Sequence, residues 1–193
     1  MNRIHRYDGG VREVNHSKES IMSLPNDILF PLLIEDVKQG KTCTLRLRGN
    51  SMRPFLENDR DVGIFTKLEN IKVGDPVLAE IGEGHYVLHR IMKIEGDAVT
   101  LMGDGNLGCE YCKTSDFRAG VIGFIRKGRH KIDRIDGFKW KAYSWFWVNL
   151  RFIRRWLLIF YRYIWLNIFR LKAYPTLTKG DIEEIVKKDR NKQ

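Results

Sequence analysis

Three short strings carry side chains that could do chemistry together: Gly49-Asn50-Ser51-Met52-Arg53-Pro54, then Leu88-His89-Arg90-Ile91, then Met102-Gly103-Asp104-Gly105-Asn106. Gly49 lets the chain turn without a Cβ clash and Pro54 fixes φ, so the stretch between them can hold the Ser51 side chain in one orientation. Alone, such a serine is most often a turn residue that hydrogen-bonds its own backbone. A histidine and a carboxylate downstream change its meaning. A serine hydroxyl is a poor nucleophile at neutral pH and needs a base within hydrogen-bond reach; imidazole titrates in the right range. A carboxylate on the far ring nitrogen then sets the tautomer and stabilises the imidazolium. The backbone N–H of Ser51 is the natural first donor to a developing oxyanion, and a second would come from main chain or from Asn50.

In this order, with Val73-Gly74-Asp75 between the first and second, the strings resemble the protease superfamily that contains the type I signal peptidases and the LexA/UmuD-type self-cleaving proteins, over about Thr42 to Arg126. The resemblance implies Ser51 as nucleophile and His89 as base, placing the chain beside the histidine-using endoplasmic-reticulum and archaeal signal peptidases rather than the lysine-using bacterial ones. It implies Asp104 as the third member, with Glu110, an acid where the family has an aspartate, as the alternative.

These residues need a scaffold that delivers them to one place. Thr42 to Arg48 alternates apolar and basic residues and ends just before Ser51, which predicts a strand leading into the nucleophile turn. Further strands are predicted at Asp61–Thr66, Pro76–Ile81, His85–Ile94, Ala98–Met102 and Gly120–Arg126, with hairpin turns at Gly82-Glu83-Gly84 and Glu95-Gly96-Asp97. Evenly spaced strands with glycine turns predict a mainly β, antiparallel, partly closed barrel. Period-two geometry puts His85, Val87, His89, Ile91 and Lys93 on one face, with His85 at a solvent-exposed hairpin tip. Asn26–Gln39 carries an apolar stripe through Ile28, Leu29, Leu32, Leu33 and Val37 that predicts a short helix packed on the barrel.

Charge divides the 193-residue chain unevenly. Residues 1–125 hold 16 Lys/Arg against 18 Asp/Glu, whereas residues 126–193 hold 18 against 6, so the net +10 belongs to the C-terminal third. There, residues 140–171 contain all five tryptophans and 12 aromatics, and no acid occurs between Asp136 and Asp181. At helical spacing Arg151, Arg154, Arg155 and Arg162 cluster in one sector, and Trp156 and Trp165 belong to the apolar remainder. A basic, aromatic amphipathic helix of this kind is expected to lie in a membrane interface. The uncharged run that follows Arg155, Trp156–Tyr161, ends at Arg162 and is far shorter than the roughly 20 residues that span a bilayer. Packing of these helices on the barrel or on another protein is the competing expectation, and nucleic acid is not expected as a partner because so apolar a helix is a poor solvated surface for bases.

With three cysteines and no N-terminal export pattern, a disulfide framework is not expected. Cys109-Glu110-Tyr111-Cys112 lacks the further ligands zinc requires, since only Cys43 or a stray histidine could help. Neither metal nor cofactor is expected. The chain is thus expected to divide into a flexible start (1–22), a serine protease β domain (23–138), a basic aromatic helical segment (139–172) removable after Gly137, and a mobile polar tail (173–193) with a short polar helix over Thr178–Lys188. The expected activity is endoproteolysis of a signal or leader segment on a peptide or protein, at a membrane surface. The anionic cytoplasmic face suits the basic helix, with the extracytoplasmic face as the other possibility. A LexA/UmuD-like self-cleaving regulator and a non-catalytic scaffold of the same fold are the alternatives.

Overall fold

The computed structural model describes residues 4–7, 25–165 and 177–191. Its strands are β1 (Ile4–Tyr7), β2 (Thr42–Arg46), β3 (Val62–Thr66), β4 (Pro76–Gly82), β5 (His85–Glu95), β6 (Ala98–Met102), β7 (Glu110–Lys113), β8 (Phe117–Ile125) and β9 (Ile132–Arg134). The helices are α1 (Asn26–Lys38), α2 (Phe138–Asn149), α3 (Arg151–Ile159), continued by a π-helical stretch at Phe160–Trp165, and α4 (Lys179–Arg190). The strands form one sheet in the order β1-β2-β3-β8-β4-β5-β6-β7, with β9 added to β8. Every pairing is antiparallel except that of β1 with β2. The architecture is therefore the expected antiparallel β type, with the sheet path left open at β1 and β7.

Both faces of the central strands are covered, which is why β3 and β8 read as nearly continuous apolar runs instead of clean alternations. On one face Phe65 and Phe124 pack with Leu29, Leu33 and Val37 of α1 and with Met52, Phe55 and Leu56 of the serine turn. On the other, Val62, Ile64 and Ile125 meet Ile182, Ile185 and Val186 of α4. Adjacent residues serve opposite faces because strand side chains alternate. A third cluster, Val77, Ala79, Ile91, Val99, Leu101 and Phe117, fills the β4–β5–β6 corner beneath the histidine.

Three expected boundaries change. Residues 4–7 are a strand where a flexible start was expected, and the rest of the expected flexible segment lies outside the described residues. In the C-terminal tail a short polar helix over Thr178–Lys188 was expected and is present as α4, but it is docked rather than mobile: Thr178 and Asp181 form a capping box, and the three apolar residues of α4 contribute about 1.5–3 kcal/mol each by burial. The limit at 138/139 does not separate two bodies, because Trp140 of α2 sits within the main core against Phe55 and Phe124, with ring centroids 4.7 and 5.5 Å away. The expected single basic helix is broken at Leu150 into α2 and α3, and the end of that expectation, residues 166–172, lies outside the described residues.

Candidate active site

Ser51 lies in the turn after β2. Gly49, at φ +103°, takes the left-handed conformation that reverses the chain, and its N–H donates to Asn58 Oδ1 at 2.7 Å. The turn closes on itself through Arg53 N–H to the Asn50 carbonyl at 3.1 Å and Leu56 N–H to the Met52 carbonyl at 2.9 Å, while Met52, Phe55 and Leu56 anchor it in the core. Ser51 is half-buried, and Asn50, the other expected oxyanion residue, is exposed beside it.

His89 stands at the centre of β5 and is buried. Ser51 and His89 line one cleft of about 130 Å³, completed by Leu47, Met52, Leu56 and Val87 among others. Larger surface clefts, of about 530 to 770 Å³, contain neither residue. The His89 Nδ1 atom is 2.5 Å from Glu110 Oε2, a short bond between an imidazole and a carboxylate. Sheet register accounts for it. Ile91 pairs with Leu101 and Leu101 with Glu110, and residues directly opposite share a face, so Glu110 joins the His89–Ile91 face two strands away.

Nε2, the other ring nitrogen, looks toward the Gly103 loop. A side chain at position 103 would collide with the Ser51 carbonyl oxygen and come within 3.0 Å of both His89 Nε2 and Asn106 Nδ2, so only glycine lets this loop close on serine and histidine at once. The loop also grips the nucleophile turn directly, with Gly105 N–H donating to the Ser51 carbonyl at 2.6 Å. Burial lowers the His89 pKa below its usual 6.5, outweighing the opposite pull of Glu110, so the ring is held neutral near neutral pH.

Asp104 is not on the histidine. It is fully buried and accepts two bonds from Arg90, from Nε at 2.8 Å and from Nη2 at 2.7 Å. Arg90 follows His89 in β5, so alternation sends its guanidinium to the opposite face, and with it Asp104. Tyr143 Oη donates to Asp104 Oδ2 at 3.1 Å and Trp147 Nε1 to the Asp104 carbonyl at 3.0 Å. Arg90 Nη1 reaches the Gly74 carbonyl at 2.7 Å and Ser144 Oγ at 2.9 Å, and its guanidinium lies 4.5 Å from the Trp140 ring centroid. Burial alone would lower the Arg90 pKa, but Asp104 reverses the effect and raises it. The expected preference for Asp104 over Glu110 as the acid on His89 is thus reversed by geometry: Asp104 is a structural counter-ion.

The expected membrane-facing residues separate. Arg155 and Arg162 are exposed, as are Trp156 and Trp165, but Arg154 is buried and donates from Nη2 to the Gly103 carbonyl at 2.7 Å. The Arg151 side chain lies outside the described residues. Of the thiols, burial pushes Cys43 up to about 12 and Cys112 to about 11, so both are held protonated.

Residues that sequence reasoning missed here are Tyr143, Ser144 and Trp147, because their buried role shows no period of its own within an aromatic-rich helix. No curated protein matches the chain. The Peptidase S24-like family matches residues 8–109, taking in the serine turn, His89 and the Gly103–Asp104 loop and stopping one residue before Glu110. That match spans more than half of the chain, and the chain therefore belongs to the Peptidase S24-like family, serine peptidases of the LexA and signal-peptidase type.

Proposed function

We propose that the protein is a serine endopeptidase that removes a signal or leader segment from a peptide or protein at a membrane surface. The observation that carries this reading is the pairing of His89 Nδ1 with Glu110 while Nε2 faces the loop gripping Ser51. Glu110 fixes the tautomer with the proton on Nδ1, leaving Nε2 as acceptor. Nε2 takes the Ser51 Oγ proton as Oγ attacks the scissile carbonyl, and the imidazolium returns it to the leaving amine, giving an acyl-enzyme. Water, deprotonated by the same nitrogen, then releases the acyl group and restores Ser51. The Ser51 N–H is positioned in sequence to meet the oxyanion.

The membrane part of the reading is supported by the outward face of the helices. Phe152, Trp156, Phe160 and Tyr163 are exposed, Phe152 at 75% and Trp156 at 70%, next to Arg155 and Arg162. Among the described residues no helix is long and apolar enough to cross a membrane. Aromatics beside arginines fit an anionic interface, the cytoplasmic leaflet in particular.

Incubating the full chain alone, and then with leader-bearing peptides, and reading intact mass tests the proposal. Cleavage of added peptide that disappears in Ser51→Ala supports it. Shortening of the chain alone would replace it with self-cleavage, and no change in either mass would leave a non-catalytic scaffold.

A further inference from the structure

Two contacts from beyond the family match tie the C-terminal helices to the loops around Ser51. The first is Arg154 of α3. Only 3% exposed, it donates from Nη2 to the Gly103 carbonyl at 2.7 Å, meets Met102 Sδ through Nη1, and lies 5.3 Å from the Trp147 ring centroid. A Cβ on Gly103 would collide with the Ser51 carbonyl and come within 3.0 Å of His89 Nε2, so the Gly103 backbone lies close beside both, and two residues later Gly105 N–H holds the Ser51 carbonyl. Displacement of Gly103 therefore reaches nucleophile and base together.

The second contact grips the other end of the turn. Tyr161 Oη donates to Glu57 Oε1 at 2.6 Å, and Glu57 Oε2 accepts from Arg53 at 2.8 Å from Nε and 2.7 Å from Nη2. Arg53 is two residues from Ser51, and the Glu57 N–H is itself held by the buried Asp61 carboxylate at 2.9 Å. Burial and then Glu57 push the Tyr161 phenol well above its usual range, so it stays a donor. Hydrogen bonds to charged groups are the strong ones, and here they clamp an irregular turn that has no strand ladder of its own.

We propose that Arg154 and Tyr161 are positioning residues for Ser51, so that the helical segment running from α2 to Trp165 is a working part of the active site. The inference rests on the reading of Ser51 and His89 as nucleophile and base. Neither residue touches a reacting atom; each acts through the backbone that sets where Oγ sits. Small misplacements of a nucleophile are costly because the near-attack geometry is narrow.

The test uses the full chain and a fluorophosphonate that phosphonylates an activated serine, with displacement of fluoride as the leaving group. Intact mass reads both the final fraction labelled and the rate constant across pH. Arg154→Met and Tyr161→Phe are expected to label completely but about 10- to 100-fold more slowly, with Arg154→Lys in between. The pH midpoint is expected to stay at the wild-type value, because His89 and Glu110 are untouched. Rate constants within about twofold of wild type would overturn the proposal. So would a lower labelled fraction at an unchanged rate constant, the mark of a purely structural role. Tyr161→Phe removes a single oxygen and keeps the test decisive if Arg154→Met does not fold. Wild-type protein that takes no label on Ser51 would instead remove the Ser51–His89 reading, and this proposal with it.

Discussion

At the scale of single residues, the division of labour between two carboxylates is the most testable feature. Ser51→Ala and His89→Ala are each expected to lower kcat/KM on a cleaved peptide by about 10⁴-fold, with the double variant little worse, because the residues act as a unit. Glu110→Gln is expected to cost about 10²- to 10⁴-fold in rate with little loss of stability. Asp104→Asn is expected to do the reverse of a catalytic change: it strips the counter-ion from buried Arg90 and lowers stability by about 3–5 kcal/mol, read by denaturant unfolding. A variant pair that showed the opposite pattern would return the catalytic acid to Asp104. The pH profile has a definite sign. Burial lowers the His89 pKa, and only neutral imidazole accepts the Ser51 proton, so activity falls as pH drops through a midpoint below 6.5. A midpoint above 6.5 would mean that Glu110 outweighs burial.

At the scale of elements, α2 decides whether the β body can stand alone. Sequence patterning marks the segment after Gly137 as a removable appendage, yet Trp140 fills the main core, Tyr143 and Trp147 donate to Asp104, and Ser144 accepts from Arg90. Truncation after Gly137 would open an apolar hole and expose one side of a buried ion pair. We expect that fragment to be unfolded or aggregated by circular dichroism and size exclusion, and a well-folded monomer would show that the β body closes without α2. The single change Trp140→Ala is expected to cost about 3–5 kcal/mol, as for other large buried aromatics.

On the scale of the whole molecule, charge and aromatic exposure point the same way. The basic C-terminal third presents Arg155 and Arg162 beside Phe152, Trp156 and Phe160, while Arg154 is withdrawn into the protein. Anionic vesicles are expected to bind the chain more tightly than zwitterionic ones, and salt or alkaline carbonate to release it. Arginines near an anionic surface contribute about 1 kcal/mol each, so Arg155→Gln with Arg162→Gln should weaken vesicle binding by an order of magnitude or so. Binding indifferent to lipid charge and resistant to carbonate would sink the interfacial reading.

Much of this arrangement was written in local patterns. The alternation in β2, β4, β5 and β6, the glycine turns between them and the apolar stripe of α1 place those elements to within a few residues, because period-two and period-3.6 burial are properties of adjacent positions. Ser51 and His89 are singled out by the order of the three strings and the resemblance it carries, not by either residue alone, and the structure brings both to one cleft. Which acid meets His89 was not legible, since it depends on a register carried across three strands, and a contact between residues 21 apart in sequence leaves no periodic trace. The fate of the C-terminal third was hidden for a related reason. Amphipathic spacing tells that a face will be buried, but whether lipid or the protein's own core covers it is decided only by shape. Here that decision turned Trp140 and Arg154 inward and left Phe152 and Trp156 outside.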